Sequence, residues 1–374
     1  MADLGKQYLK LKEEISLETD SVFSSAQFIK GEKVEELEKE LASYLGVKHV
    51  ITCGNGTDAL QLALMALNLT IGDEVICPSF SFISSAEAVA LLGYRPVFVD
   101  VSYDDFNITM ENIKDAITVK TKAIIPVHLF GQAADMEKIM NLANQYNLFV
   151  IEDNAQSFGA DFTFSQKNES KKLGTIGNIG CTSFFPTKNL ACYGDGGAVF
   201  TDDDSLAEKI RMRANHGMKK KYFSEIIGIN SRLDTLQAAV LKVKLSHLEE
   251  CLSKRREVAS RYDELLKDVS EIILPQRKPS ATHTFNQYTL KIKDNKRNEL
   301  KTYLENKGIA SQIYYPYPLH SQESLSVLSR KVGEMAVTEQ LCREVLSLPM
   351  HTELEDGQIK YITDSIKQFF VDNN

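Results

Sequence analysis

Apolar and polar positions along this chain fall into a repeating two-part pattern. Short apolar runs recur at Val50 to Cys53, Glu74 to Cys77, Pro96 to Val101, Ala123 to Val127 and Leu148 to Asp153, and each reads as a buried strand. Stretches of helical period follow them: Ala59 to Leu67, Ser84 to Leu92, Met110 to Ile117 and Ala134 to Tyr146. Strand–helix units at this spacing predict a mainly parallel sheet covered on both faces. Ligands of such sheets sit beyond the carboxyl ends of the strands. Gly54 to Asp58, Phe82, Asp153 and Gln156 all lie at or just past such ends. Before this region, residues 5–46 read as helix, with Val34, Leu37, Leu41 and Leu45 on one face.

The pattern changes at Ile179. Two apolar runs, Ile179 to Phe185 and Ala198 to Thr201, enclose a tight connection containing Pro186, Lys188, Gly194, Gly196 and Gly197. Pro186 ends the first run, because it has no N–H to donate to a ladder. A lysine held between two buried strands is costly unless its pKa falls or it forms a covalent bond. A Schiff base with an aldehyde cofactor does both; a lysine snorkelling from a strand end is the other reading. Asn230 to Val240 opens a long helix with Ser231 as its cap. Arg232 then falls in the first turn, where the dipole disfavours a cation. Further on, Phe285 to Lys293 reads as a strand and Asn295 to Lys307 as a helix stopped by Gly308. Gln312 to His320 is an aromatic–proline loop suited to a sugar or base. A large domain over 1–250 and a smaller α+β domain over 251–374 are expected.

Composition narrows the partners. A net charge of -8 with no long basic run argues against nucleic acid. Lys219-Lys220-Lys221 is the longest basic cluster. The cysteines show no CxxC and no metal-finger spacing, so reduced thiols in a cytoplasmic protein and no metal are expected. Neither a secretory h-region nor a membrane-length apolar run is seen. The strand–glycine–helix passage Gly54-Asn-Gly-Thr-Asp-Ala-Leu60 can offer free N–H groups to a phosphate. It matches neither a dinucleotide fingerprint nor a P-loop.

Taken together, Gly54 to Leu60, Glu152-Asp-Asn-Ala-Gln-Ser-Phe-Gly159, Ser183-Phe-Phe-Pro-Thr-Lys-Asn-Leu190, Gly194-Asp-Gly-Gly197 and Asn230-Ser-Arg-Leu-Asp234 resemble the PLP-dependent sugar aminotransferases of the DegT/DnrJ family. The likeness spans nearly the whole chain. It implies a fold-type I architecture with a seven-stranded, mainly parallel sheet. It also implies that Lys188 holds pyridoxal 5′-phosphate and shuttles a proton, and that Asp153 pairs with the pyridine nitrogen. Gln156 and Phe82 would face the ring. Thr57, the N–H of Asp58, and Ser183 would hold the phosphate, with Asn230 supplied by the neighbouring subunit of a homodimer. Arg232, Tyr314, Tyr315, Tyr317 and His320 would contact the substrate, and Lys219 the nucleotide pyrophosphate.

The implied reaction moves the amino group of L-glutamate to a keto-sugar nucleotide for surface polysaccharide such as O-antigen. Lysine rather than histidine at 188 favours transamination over dehydration. Phe185 before Pro186, in place of a His-Pro pair, resembles members acting on 3-oxo UDP- or dTDP-sugars, above all UDP-2-acetamido-3-oxo-glucuronate. Tyr314 departs from those relatives, which usually have histidine before the Tyr-Pro pair. A 4-oxo sugar aminotransferase and a non-catalytic, ligand-binding regulator are the alternatives.

Overall fold

The apolar runs become strands of one sheet. The computed structural model describes residues 3–165 and 169–373. Two helices come first, α1 (Leu4–Ser25) and α2 (Glu32–Leu45). The alternating region is β1 (His49–Cys53), α3 (Gly56–Ala66), β2 (Glu74–Pro78), α4 (Ser84–Leu91), β3 (Arg95–Val99), α5 (Met110–Ala116), β4 (Thr121–Ile124), α6 (Met136–Tyr146) and β5 (Phe149–Asp153). A hairpin of β6 (Asp161–Thr163) and β7 (Ser170–Lys172) precedes β8 (Ile179–Ser183) and β9 (Gly197–Thr201). Next come α7 (Asp204–Arg213), the short pair β10 (Met218–Lys220) and β11 (Phe223–Ser224), α8 (Thr235–Ser246) and α9 (Leu248–Leu266). The chain continues through β12 (Ile272–Ile273), β13 (Tyr288–Ile292), α10 (Arg297–Asn306), β14 (Arg330–Lys331), α11 (Ala336–Glu344), β15 (Val345–Leu348) and α12 (Asp356–Asp372).

The main sheet runs β1-β9-β8-β5-β4-β2-β3-β14. It has eight strands, one more than the sequence led us to expect. The addition is β14, a two-residue strand that pairs in parallel with β3 at the edge. Within this sheet β9 runs against both of its neighbours, β1 and β8. β2, β5 and β9 carry continuous buried runs, as strands covered on both faces do. Each buried side chain of Val, Leu, Ile or Phe there stabilises by roughly 1.5–3 kcal/mol relative to exposure.

A second apolar cluster lies between the β12-β13-β15 sheet and helices α9, α10 and α12. The C-terminal residues do not all belong to it. Leu319, Leu325, Met335, Leu341 and Cys342 pack into the main-sheet core. No helix among the described residues is long and apolar enough to cross a membrane.

Candidate active site

Asp153 ends β5, in register with Cys181 on β8. It is buried, and its carboxylate accepts the Ala155 N–H at 3.1 Å. Burial pushes the Asp153 pKa up, against the Ala155 hydrogen bond and the Lys188 charge, which pull it down. Lys188 sits in the β8–β9 connection and is half-buried. Burial lowers its pKa, and the Asp153 charge pulls it back up. The two groups thus face one electrostatic environment from opposite sides of neutrality.

The connection is closed by its own backbone. Phe184 N–H donates to Gly196 O and Cys192 N–H to Phe184 O, both at 2.8 Å. Lys188 N–H donates to Phe185 O at 2.8 Å, forming the turn that presents the side chain. Asn286, from the segment before β13, braces this turn on both sides of Lys188. Its Nδ2 donates to Thr187 O at 3.2 Å and to Asn189 Oδ1 at 3.3 Å. No local sequence signal marks Asn286, because its contact lies about a hundred residues away along the chain.

The residue before Asp153 is just as firmly held. Glu152 is fully buried and accepts N–H groups from Gly174 at 2.9 Å and from Ile176 and Gly177 at 2.6 Å. His128 Nδ1 accepts the Ala134 N–H at 3.2 Å, so Nε2 carries the proton and donates to Glu152 at 2.9 Å. Neither residue was singled out in the sequence.

Gln156 joins the ring-facing group. Its Oε1 accepts the Phe130 N–H at 2.7 Å, and its Nε2 donates to the Tyr315 hydroxyl at 3.0 Å. Tyr315 in turn lies 6.3 Å, centroid to centroid, from Phe82, whose own ring is largely exposed. Burial raises the Tyr315 pKa.

The start of α3 faces the end of β8. The N-cap is Asn55, whose Oδ1 accepts the Asp58 N–H at 2.8 Å. This corrects the expectation that the Asp58 N–H is free for a phosphate; Thr57 and Asp58 are the second and third residues of the helix. The Gly56 and Thr57 N–H groups, immediately before that of Asp58, have no intrahelical acceptor. Ser183 packs against them so closely that a Cβ on Gly56 would lie 2.7 Å from the Ser183 Cβ. The Thr57 hydroxyl is 2.7 Å from that of Ser84.

Asn230 and Arg232 stand elsewhere. α8 begins at Thr235, with Asp234 as its N-cap, so Ser231 is not the cap and Arg232 lies before the helix. Thr235 N–H is taken by Phe28 O, which sets the helix start by a tertiary contact. Ser231 instead bonds Gly54 N–H at 2.9 Å and the Asp58 carboxylate at 2.6 Å. Asn230 is exposed, and Arg232 is half-buried in a pocket beside Thr52.

Three further substrate candidates have surroundings of their own. Lys219 is ion-paired to Glu208 on α7. Tyr317 is largely exposed. His320 has its Nδ1 2.6 Å from the Ser79 hydroxyl and its Nε2 3.6 Å from Glu339. Tyr314 is half-buried, with its ring 5.8 Å from that of Tyr315.

Comparison with known proteins gives this geometry a context. The model of the DegT/DnrJ/EryC1/StrS aminotransferase family matches residues 9–367. A "Pleiotropic regulatory protein" of Geobacillus stearothermophilus is 45% identical over 99% of this chain and 98% of its own. The UDP-2-acetamido-2-deoxy-3-oxo-D-glucuronate aminotransferase of Pseudomonas aeruginosa is 44% identical over 96% of this chain and 97% of its own. Names of other relatives include a dTDP-3-amino-3,4,6-trideoxy-glucose transaminase and a GDP-perosamine synthase. Among solved structures, a DegT DnrJ EryC1 StrS aminotransferase from Brucella abortus superposes with a TM-score of 0.93 at 41% identity, covering 98% of both chains. The ntda protein of Bacillus subtilis, solved with bound PMP, superposes with a TM-score of 0.87 at 32% identity, covering 96% of this chain and 82% of its own.

The residues present fit that cofactor. Asp153 is a buried carboxylate whose charge acts on Lys188, Gly56 and Thr57 offer N–H groups beside Ser183, and Lys188 has an ammonium that burial makes easy to deprotonate.

Proposed function

Because the chain belongs to the DegT/DnrJ/EryC1/StrS aminotransferase family and works with pyridoxal 5′-phosphate, we propose that it moves the amino group of L-glutamate to the 3-oxo group of a UDP- or dTDP-linked sugar. The product would feed surface-polysaccharide assembly in the cytoplasm. The observation that carries the catalytic part is the placement of buried Asp153 at the end of β5 and Lys188 in the β8–β9 connection, near enough for each charge to act on the other. The 3-oxo assignment draws on Phe185 before Pro186 and on the 44% identity to a 3-oxo-glucuronate aminotransferase.

When bound, the cofactor supplies an electron sink for the carbanion at the amino acid Cα. The protein's part is positioning and proton transfer. Asp153 holds a proton at the pyridine nitrogen and keeps the ring cationic. Gln156, fixed by Phe130 and Tyr315, holds one face of the ring region, and Phe82 covers the other. Gly56, Thr57 and Ser183 anchor the phosphate at the positive end of α3. Lys188, lowered by burial, would move the proton from the amino acid Cα to the cofactor carbon that receives the nitrogen, and in the second half-reaction move a proton from that carbon to the sugar carbon being aminated. Asn230 completes the phosphate site of a neighbouring copy, so the active form is a homodimer.

Purified protein given L-glutamate and, in parallel, 3-oxo and 4-oxo UDP- and dTDP-sugars tests this reading. Turnover confined to a 3-oxo sugar supports it, and turnover of a 4-oxo sugar alone replaces it with the 4-oxo alternative. A regulator reading also has a footing in the name of the Geobacillus relative. It would prevail if the protein bound the cofactor but converted no amino acid.

A further inference from the structure

The turn that presents Lys188 is closed by its own backbone at one point, where Lys188 N–H donates to Phe185 O at 2.8 Å. Pro186 takes the second position of that turn, where its fixed φ suits the bend. The residues on either side of Lys188 are tied to a distant part of the chain. Asn286 Nδ2 donates to Thr187 O at 3.2 Å and to Asn189 Oδ1 at 3.3 Å. Asn286 is buried, and its Oδ1 has no hydrogen-bond partner among the described residues, so the two amide protons make the tie.

The segment that carries Asn286 is itself tightly held. Phe285, the residue before it, has a φ of 47°, a left-handed conformation that a bulky side chain rarely adopts. Its neighbours impose this conformation. His283 Nδ1 accepts the Phe285 N–H at 2.9 Å, and the two rings stack at 3.9 Å. Arg255 Nη1 donates to Phe285 O at 3.0 Å. The same segment docks on the loops of the ring-facing group. Thr284 N–H donates to Gly131 O at 3.1 Å, Gln287 N–H to Phe130 O at 3.4 Å, and the Thr284 hydroxyl to Gln156 O at 3.3 Å. The approach is close: a Cβ on Gly131 would lie 2.9 Å from Phe285 N. One strained segment, fixed from several sides, therefore spans from the Gln156 loop to both flanks of Lys188.

We propose that Asn286 is a positioning residue that fixes the Lys188 turn relative to the Gln156 loop, and so sets where the Lys188 amine meets the cofactor aldehyde. The proposal rests on the reading of Lys188 as the cofactor lysine given above. It adds a residue that no motif marked. In the bond-forming step the neutral Lys188 Nζ adds to the aldehyde carbon. A C=N bond replaces C=O, and water carries away the carbonyl oxygen and two protons of the amine. Burial already favours the neutral amine. What remains is aim, and a misplacement of about 1 Å costs on the order of a hundredfold in rate. Binding of pyridoxamine phosphate, which makes no bond to Lys188, does not depend on that aim.

The test uses the full-length protein stripped of cofactor, with Asn286→Leu and Asn286→Ala beside wild type and a thermal melt to confirm folding. Two quantities are read: the rate at which added pyridoxal phosphate produces the lysine-linked absorption band, and the affinity for pyridoxamine phosphate by titration calorimetry. Both variants are expected to form the band about tenfold more slowly and to bind pyridoxamine phosphate within about twofold of wild type. Band formation within about twofold of wild type would overturn the proposal. An equal loss in both quantities would overturn it too, and would make Asn286 a structural brace alone. Asn189→Ala removes one of the two acceptors without altering the segment before β13, so the tie is tested even where an Asn286 variant does not fold. It is expected to slow the band about threefold, and an unchanged rate would overturn the proposal. A wild type that forms no band with pyridoxal phosphate would overturn the reading of Lys188 itself, and the proposal with it.

Discussion

Gln156 donates to the Tyr315 hydroxyl at 3.0 Å while its carbonyl accepts the Phe130 N–H. One amide thus links the strand-end loop after β5 to the aromatic–proline loop that follows α10. Tyr315→Phe removes the acceptor and leaves the Gln156 amide unpaired. The expected cost is about 1–3 kcal/mol of stability, read by denaturant unfolding. kcat/KM should fall as well, because the amide is no longer held. Unchanged stability and kinetics would show that the link is idle.

Glu152 accepts three backbone N–H groups and His128 Nε2–H. Glu152→Gln replaces an acceptor oxygen with an NH₂ group facing donors. A loss of about 3–5 kcal/mol is expected, as for a buried charge network that loses one member. Urea melts check this, and a loss below about 1 kcal/mol would contradict it.

Much of this architecture is readable in the residues. The runs at β2 and β5 are apolar because both faces of those strands are covered, and their ends place Asp153 without reference to anything else. Other features are set across the fold. The start of α8 depends on Phe28, two hundred residues away, so Arg232 could not be placed from its own neighbours. β14 is too short to carry a period, and its pairing with β3 is visible only in space. Asn55, Thr57 and Asp58 are all acceptable caps by type. Only the geometry shows that Asn55 takes the Asp58 N–H.

Asp153 gives a prediction with a definite sign. Its folded pKa lies above the ordinary 3.8, so the folded state binds the proton more tightly. Its contribution to stability therefore falls as pH rises from the ordinary value through the folded one. Above both, the buried charge opposes folding. Asp153→Asn should raise the Tm of the cofactor-free protein at pH 7–8 while weakening cofactor binding. A lower Tm without cofactor would contradict the electrostatic account.

All six cysteines are free, and all but Cys251 are buried. Burial raises the Cys53, Cys77, Cys181, Cys251 and Cys342 thiols, and lifts Cys192 to about 11. A thiol reagent at pH 8 should label Cys251 slowly and the others only after unfolding. Rapid labelling of several thiols in the folded protein would contradict this burial.

The central claim is that Lys188 carries the cofactor and accepts an amino group from L-glutamate. The absorption spectrum of the cofactor-loaded protein, before and after adding L-glutamate, tests it most directly. The account predicts a lysine-linked pyridoxal band at the edge of the visible that gives way to the pyridoxamine band, and no such change for Lys188→Ala. A spectrum unmoved by L-glutamate in wild type, or an equal response in Lys188→Ala, would contradict it.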